Sequence, residues 1–246
     1  ADDDSVTIYD NNGDGTFTLL GSYEVHNNPK SLYAADNNND QYMDLHTGND
    51  DDYNSILINL GGGNFAKSST DGYLNTYTIT GGDVDGDGYI DLISSMYERE
   101  GFINNYQGYV MINSGNGSYS QPFSTFTLHP SPMAVATADF DSDGDLDIAY
   151  ANSYANDDVS ILLNPGNGEF DLSTAYSVGD GPRSLCTADL DGDGDVDVAT
   201  ANANDDSVSV LMNVGDGTFA AAVNYAAGAY CNFITAADID GDGSID

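Results

Sequence analysis

The sequence is short of positive charge. Four Lys and Arg (Lys30, Lys67, Arg99, Arg183) stand against 41 Asp and Glu, a formal charge of −37 over 246 residues. Nucleic acid and anionic lipid are bound by basic side chains that neutralise phosphate, so a chain this acidic is repelled by both. Tryptophan is absent, cysteine occurs twice and histidine three times. The two thiols, Cys186 and Cys231, decide little about compartment. No window has the apolar run that spans a bilayer as a helix. No secretory leader is present and the chain opens on Ala1, the expectation for a processed secreted protein or an excised fragment. Helical periodicity holds over no long window. Hydrophobic residues still make up 40% of the chain, which excludes wholesale disorder.

What is present is repetition. DNNNDQYMD (Asp36–Asp44), DVDGDGYID (Asp83–Asp91), DFDSDGDLD (Asp139–Asp147), DLDGDGDVD (Asp189–Asp197) and DIDGDGSID (Asp238–Asp246) are one motif, recurring about every 50 residues. A second motif alternates with it: SVTIYDNNGDGTF from Ser5, SILINLGGGNF from Ser55, YVMINSGNGSY from Tyr109, VSILLNPGNGEF from Val159 and VSVLMNVGDGTF from Val208. Each copy reads as an alternating strand, an Asn/Gly-rich turn, and an aromatic that opens the next strand. One repeat therefore predicts four strands; in the fourth copy they are SLCTA, VDVATAN, VSVLMN and FAAAVNY. That is the content of a propeller blade. Small residues end the strand before each acidic loop (Ala34–Ala35, Gly81–Gly82, Thr137–Ala138, Thr187–Ala188, Ala236–Ala237), as an innermost strand crowded at a common axis requires. Pro29, Pro132 and Pro182 fall where that strand begins, a place that tolerates a missing N–H.

The predicted architecture is all-β: one β-propeller domain over 1–246, built from five four-stranded repeats. Their approximate bounds are 1–30 (partial), 31–78, 79–130, 131–180, 181–229 and 230–246 (partial). Asp4–Phe17 aligns with Asp206–Phe219 and Asp246 with Asp197, so the two partial pieces complement each other except for the equivalent of Val198–Asn202. A blade lacking one strand invites strand addition, and with it self-association.

The acidic loops have the form D-x-D/N-x-D-G-x-x-D, with donors at positions 1, 3, 5, 7 and 9. The predicted ligands are Asp36, Asn38, Asp40, Tyr42 and Asp44; Asp83, Asp85, Asp87, Tyr89 and Asp91; Asp139, Asp141, Asp143, Asp145 and Asp147; Asp189, Asp191, Asp193, Asp195 and Asp197; Asp238, Asp240, Asp242, Ser244 and Asp246. Position 7 offers its backbone carbonyl. Glycine at position 6 (Gly88, Gly144, Gly194, Gly243) permits the bend. An all-oxygen set of this size suits Ca2+, whereas Mg2+ needs a stricter octahedron and zinc needs His or Cys. About five Ca2+ ions are expected, one per loop; the first loop is the weakest, with Asn38 at position 3 and Gln41 in place of glycine. An EF-hand is excluded, because position 12 is Thr47, Ser94, Tyr150 or Thr200 and the flanks are strands. A single such loop would pass for a solvated turn, but five in register do not. Carboxylates crowded without a cation are unfavourable, so folding is expected to depend on the metal.

The pairing of TADLDGDGDVDVATAN with DDSVSVLMNVGDGTF resembles the FG-GAP/VCBS repeats, also seen in the integrin α-subunit head, over essentially the whole chain. The resemblance implies a propeller with calcium in the loop joining the first two strands of each blade. Most propellers of that family have seven blades, so five repeats imply a five-bladed ring or an arc of a larger one. Its members are extracellular adhesion proteins, lectins, and accessory or catalytic domains of polysaccharide-degrading enzymes. The expectation drawn here is a secreted or cell-surface, non-catalytic propeller for adhesion, surface display or self-assembly, with a protein or glycan partner. The alternatives are a carbohydrate-binding module and the propeller domain of a polysaccharide lyase or hydrolase.

No nucleophile elbow and no distinguished His–carboxylate pair supports catalysis. The 17 tyrosines read as packing between blades with hydroxyls reaching water. His26, His46 and His129 read as polar linker residues, and Asn116-Gly117-Ser118 is a glycosylation sequon in a hairpin turn. Acidic turns at Asn49–Tyr53, Asn156–Asp158 and Asn204–Asp206 are expected on the face opposite the calcium loops. Cys186 and Cys231 lie on successive inner strands, either paired or free.

Overall fold

A computed structural model describes residues 4–50, 53–69, 75–100, 103–115, 117–119, 124–154 and 156–246. Asn116, Asp51 and Asp52 lie outside the described residues, and with them the sequon and part of the first acidic turn. Among the described residues the chain forms strands and no helix. Alternating sequences broken by Asn/Gly turns fold as antiparallel meanders, in which each strand pairs with the next. The first meander has only two strands, β1 (Ser5–Asn11) and β2 (Phe17–Glu24). Four blades of four strands follow. They are β3 (Pro29–Ala35), β4 (Asp44–Asn49), β5 (Ser55–Asn59) and β6 (Phe65–Ser69); then β7 (Thr76–Gly82), β8 (Asp91–Glu100), β9 (Ile103–Met111) and β10 (Ser124–Thr127). The third is β11 (Pro132–Ala138), β12 (Asp147–Asn152), β13 (Asp158–Leu163) and β14 (Asp171–Ser177); the fourth is β15 (Pro182–Ala188), β16 (Asp197–Asn202), β17 (Ser207–Leu211) and β18 (Val223–Ala226).

The first strands of successive blades, β3, β7, β11 and β15, lie side by side, as the small residues at their ends predict. At Gly81 the need for a small residue is specific: a Cβ there would come within 2.6 Å of the Tyr33 ring and of the Asp91 carbonyl. Pro29, Pro132 and Pro182 each open an inner strand, and the register slips immediately after each, which places the residue without an N–H at an irregular point of the ladder. The core lies between blades. Val84, Ile93, Val110, Phe126, Ile148 and Tyr150 join the second blade to the third, and Phe140, Ala149, Val159, Val198, Leu211 and Phe219 join the third to the fourth. Strands β12 and β16 are buried along their whole length, covered on both faces.

Tyrosine hydroxyls in these seams bond to the backbone of the adjacent blade. Tyr150, fully buried, donates from Oη to the Ser94 carbonyl (3.0 Å), and the half-buried Tyr33 and Tyr23 donate to the carbonyls of Gly81 (3.2 Å) and Gly63 (2.7 Å). A buried hydroxyl must find an acceptor, and the facing backbone supplies it.

The fifth repeat does not form a four-stranded blade, and its two pieces do not combine. The β1–β2 hairpin packs beside the first complete blade, with Tyr23 edge-on to Phe65 at 5.2 Å. Residues 227–246 form no strand; Ile234 N–H reaches Ser184 Oγ beside β15, and Ala237 and Asp246 pair across the acidic loop. An inner strand needs a second strand to complete its ladder, and among the described residues no strand pairs with residues 227–246 as β16 pairs with β15. The blades therefore form an open arc. Both cysteines are free thiols, and Cys231 Sγ donates to the carbonyls of Asn202 and Ser207.

Candidate metal centres

In the four complete blades the acidic loop joins the first strand to the second, and the fifth acidic loop, Asp238–Asp246, has no flanking strand. Two residues of each loop are left-handed: Gly86 and Gly88 in the second loop, Ser142 and Gly144 in the third, Gly192 and Gly194 in the fourth, Gly241 and Gly243 in the fifth. This double bend turns side chains of one loop inward. Oxygens of Asp83, Asp85 and Asp91 lie within 4.8 Å of one another, as do those of Asp139, Asp141 and Asp147, of Asp189, Asp191 and Asp197, and of Asp238, Asp240 and Asp246. Positions 1, 3 and 9 thus converge four times. The position-5 carboxylates do not join these triads; Asp87, Asp143, Asp193 and Asp242 accept the position-7 N–H of Tyr89, Asp145, Asp195 and Ser244 at 2.8–2.9 Å.

The residues present fit a cation. Asp83 and Asp139 each use one oxygen to accept a glycine N–H, from Gly88 (2.9 Å) and Gly144 (3.0 Å). Their other oxygen, Oδ1, is buried with no hydrogen-bond donor. A buried carboxylate oxygen without a donor is unfavourable, and a positive ion inside the triad relieves it. In the fourth and fifth loops backbone N–H groups of Gly192 and Gly241 turn in to the equivalent oxygen instead.

The first loop is different. Asn39 and Gln41 take the left-handed positions without glycine (φ 56° and 73°). Both Asp36 oxygens accept backbone N–H groups, from Asp40 and Gln41, and the Asn38 amide donates to Asp40. No three acidic groups gather there among the described residues, because position 3 is Asn38, so four all-aspartate triads form over the five loops.

Position 9 has a second task, invisible in the motif alone. Asp91, Asp147 and Asp197 are buried and accept two backbone N–H groups each. One comes from position 2 of the same loop (Val84, Phe140, Leu190) at 2.8–3.0 Å. The other comes from an asparagine that begins the hairpin turn of the same blade (Asn113, Asn164, Asn213) at 2.8 Å. These asparagines were readable only as turn residues. Their signal was recurrence: Asn11, Asn59, Asn113, Asn164 and Asn213 end the alternating strand in every copy of the second motif.

Burial pushes the Asp91 and Asp147 carboxyls up to about 6, and it raises Asp44 and Asp197 as well. With no cation bound, the folded state holds these protons where the unfolded chain, near the model-peptide value of about 3.9, has released them. The folded state then binds more protons, so apo stability falls as pH rises through the window from about 4 to 6. The effect is at most about 3 kcal/mol per group before solvent screening is discounted. With calcium bound the sign reverses, because protons compete with the ion. Melting curves between pH 4.5 and 7 should therefore slope in opposite directions in EDTA and in calcium; parallel slopes would remove the cation from the account.

Of the histidines, His46 is buried against Asn37 and Tyr119, and burial lowers its pKa to about 3, so it is neutral. His129 Nδ1 contacts Asp158 Oδ2 at 2.5 Å, and Asn152 Nδ2 donates to the other Asp158 oxygen at 2.9 Å. This His–carboxylate pair ties the exit of β10 to β13 and was missed in the sequence, where its partners stand 29 residues apart.

Four-stranded blades ranged along their inner strands, with an acidic loop after each inner strand, define a β-propeller repeat protein. The chain belongs to the FG-GAP-like repeat family, whose model matches residues 1–47, 83–150, 139–200 and 189–246. No curated protein matches it in sequence. Among solved structures it is similar to BBS1N, determined in complex with ARL6DN and soaked with lead, at 13% identity and a TM-score of 0.54. The match covers 82% of this chain and 58% of that one. It is also similar to the periplasmic gluconolactonase PpgL of Pseudomonas aeruginosa, at 14% identity and a TM-score of 0.47, over 87% of this chain and 75% of that one. Among the described residues no helix is long and apolar enough to cross a membrane.

Proposed function

We propose that this chain is a calcium-stabilised, non-catalytic propeller that serves adhesion or display outside the cell. The carrying observation is the fourfold convergence of carboxylates at positions 1, 3 and 9, with unpartnered buried oxygens on Asp83 and Asp139. A donor set made entirely of oxygen favours calcium over zinc and copper, and loops of this openness favour it over magnesium, which demands a tighter octahedron. Around the triads of the second and third loops, Asp87, Asp143 and the backbone carbonyls at position 7 would complete the shell. In bound form the ion supplies charge neutralisation and rigidity. Partly exposed loops suit the affinities of extracellular modules, about 10⁻⁴–10⁻³ M, which are filled by the calcium outside cells and not by the traces within. The tie between His129 and Asp158 is read here as a seam between blades.

Two measurements test this. Calorimetric titration of EDTA-treated protein should show about four calcium ions in that affinity range and at least about tenfold weaker magnesium binding. Beads coated with the protein should adhere to cells in calcium and release in EDTA. Saturable calcium binding with no calcium-dependent adhesion would leave the metal centres standing and sink the adhesive role.

A further inference from the structure

We propose that the hairpin asparagines couple the cation sites of successive blades, Asn164 between the second and third loops and Asn213 between the third and fourth, so that filling one site raises the affinity of the next. Asn113 makes the same bridge from the second loop to the first, where no acidic triad gathers among the described residues. The proposal rests on the reading of the loops as cation sites. A turn residue needs only its side-chain oxygen, which here accepts the glycine N–H two residues on (Gly115, Gly166, Gly215). Each of these asparagines also does something the turn does not require. Its amide nitrogen donates to two carbonyls, one in the acidic loop of its own blade and one in the loop of the preceding blade.

Asn164 Nδ2 reaches Leu146 O at 3.0 Å and Val84 O at 2.8 Å. Asn213 reaches Val196 O at 3.0 Å and Phe140 O at 2.8 Å, and Asn113 reaches Ile90 O at 3.0 Å and Asn37 O at 2.8 Å. All three asparagines are at most 4% exposed, so water does not replace these bonds.

The links join end to end. Asp91 Oδ2 holds Val84 N–H, Asn164 holds Val84 O, and Asp147 Oδ1 holds Asn164 N–H. Asp147 Oδ2 holds Phe140 N–H, Asn213 holds Phe140 O, and Asp197 Oδ1 holds Asn213 N–H. Asp147 thus belongs to one triad and to both chains. A cation that fixes its carboxylate also fixes the asparagine behind it, and through that the backbone of the neighbouring loop. The neighbour then has less disorder to lose when it binds, which makes the coupling positive.

The test is a calcium titration of the EDTA-treated full chain, read by equilibrium dialysis and native mass spectrometry. The wild type should give a Hill coefficient of about 2, with partly filled species depleted relative to independent sites. Asn164→Ala keeps every carboxylate and its own backbone N–H but cuts the bridge between the second and third loops. It should lower the coefficient toward 1 and raise the half-saturating calcium about tenfold, with the same ion count at saturation. A residue that only closed its turn would shift the melting point and leave the coefficient unchanged, and that result overturns the proposal. If the variant does not fold, the wild-type distribution decides alone, since a binomial spread of ion counts overturns the coupling. No bound ion at millimolar calcium overturns the cation reading itself, whereas bound ions with coincident isotherms overturn only the coupling.

Discussion

Transfer from 10 mM calcium to excess EDTA should lower the melting midpoint by upwards of about 20 °C. At the tight end of the expected range, about 10⁻⁴ M, 10 mM calcium is about one hundred times the dissociation constant and adds about 2.7 kcal/mol per site when it binds only the folded state. Four triads together then add roughly 10 kcal/mol, as large as the whole stability of an ordinary domain. For a chain of this size each kcal/mol moves the midpoint by about 2–4 °C. The EDTA form must also fold with a formal charge of −37 and with carboxylate oxygens of Asp83 and Asp139 buried without donors. Calorimetric scans in the two buffers check this. A shift below about 5 °C would show that the loops fold without help from the ion.

Asp147→Asn should be damaging with or without calcium, whereas Asp141→Asn should matter only with it. Asp147 is fully buried, and its two oxygens accept Phe140 N–H and Asn164 N–H, both at 2.8 Å. An amide has one oxygen, which keeps one of those two donors; its NH2 must face the other, leaving that N–H and the NH2 without an acceptor. That costs about 1–3 kcal/mol in EDTA. Loss of the site adds about 2.7 kcal/mol more in saturating calcium. Asp141 is half-buried, and burial together with Asp143 raises its carboxyl. Neutralising it in EDTA removes repulsion, so apo stability should stay level or rise slightly, while the gain from calcium disappears. Chemical denaturation of both variants in both buffers gives four numbers. An Asp147→Asn variant as stable as wild type in EDTA would refute its role as a backbone anchor.

Those two aspartates also show how far sequence reasoning reaches. Both were legible as ligands because the loop repeats in register, and repetition carried the blade pattern, the inner strands and the glycine bends in the same way. Strand order follows wherever alternation and Asn/Gly turns are regular. What repetition could not show is a contact made across blades. Tyr150 and Ser94 lie in different repeats, and nothing in either neighbourhood says that one hydroxyl ends on the other's carbonyl. The asparagine bridges are of the same kind, since turn chemistry already accounts for an Asn followed by glycine and so hides its second use. In the first loop the departures visible in the sequence, Asn38 at position 3 and Gln41 in place of glycine, mark the one loop where no acidic triad gathers among the described residues, and the Asn38 amide donates to Asp40. In the last repeat the local pattern still predicts an inner strand. Strand formation depends on a partner, which a local pattern does not contain.

The asparagine that leaves the hairpin for the loop before it gives each pair of successive complete blades one joint of the same shape. Asn113 seats on Asn37, Asn164 on Val84 and Asn213 on Phe140, and the contact goes to a backbone carbonyl in all three cases. The side chain at the receiving position is therefore free to be polar, aliphatic or aromatic. This hydrogen bond tolerates a duplicated or lost repeat without any substitution at the receiving position. What a new seam must still match is the apolar packing, which differs from one seam to the next.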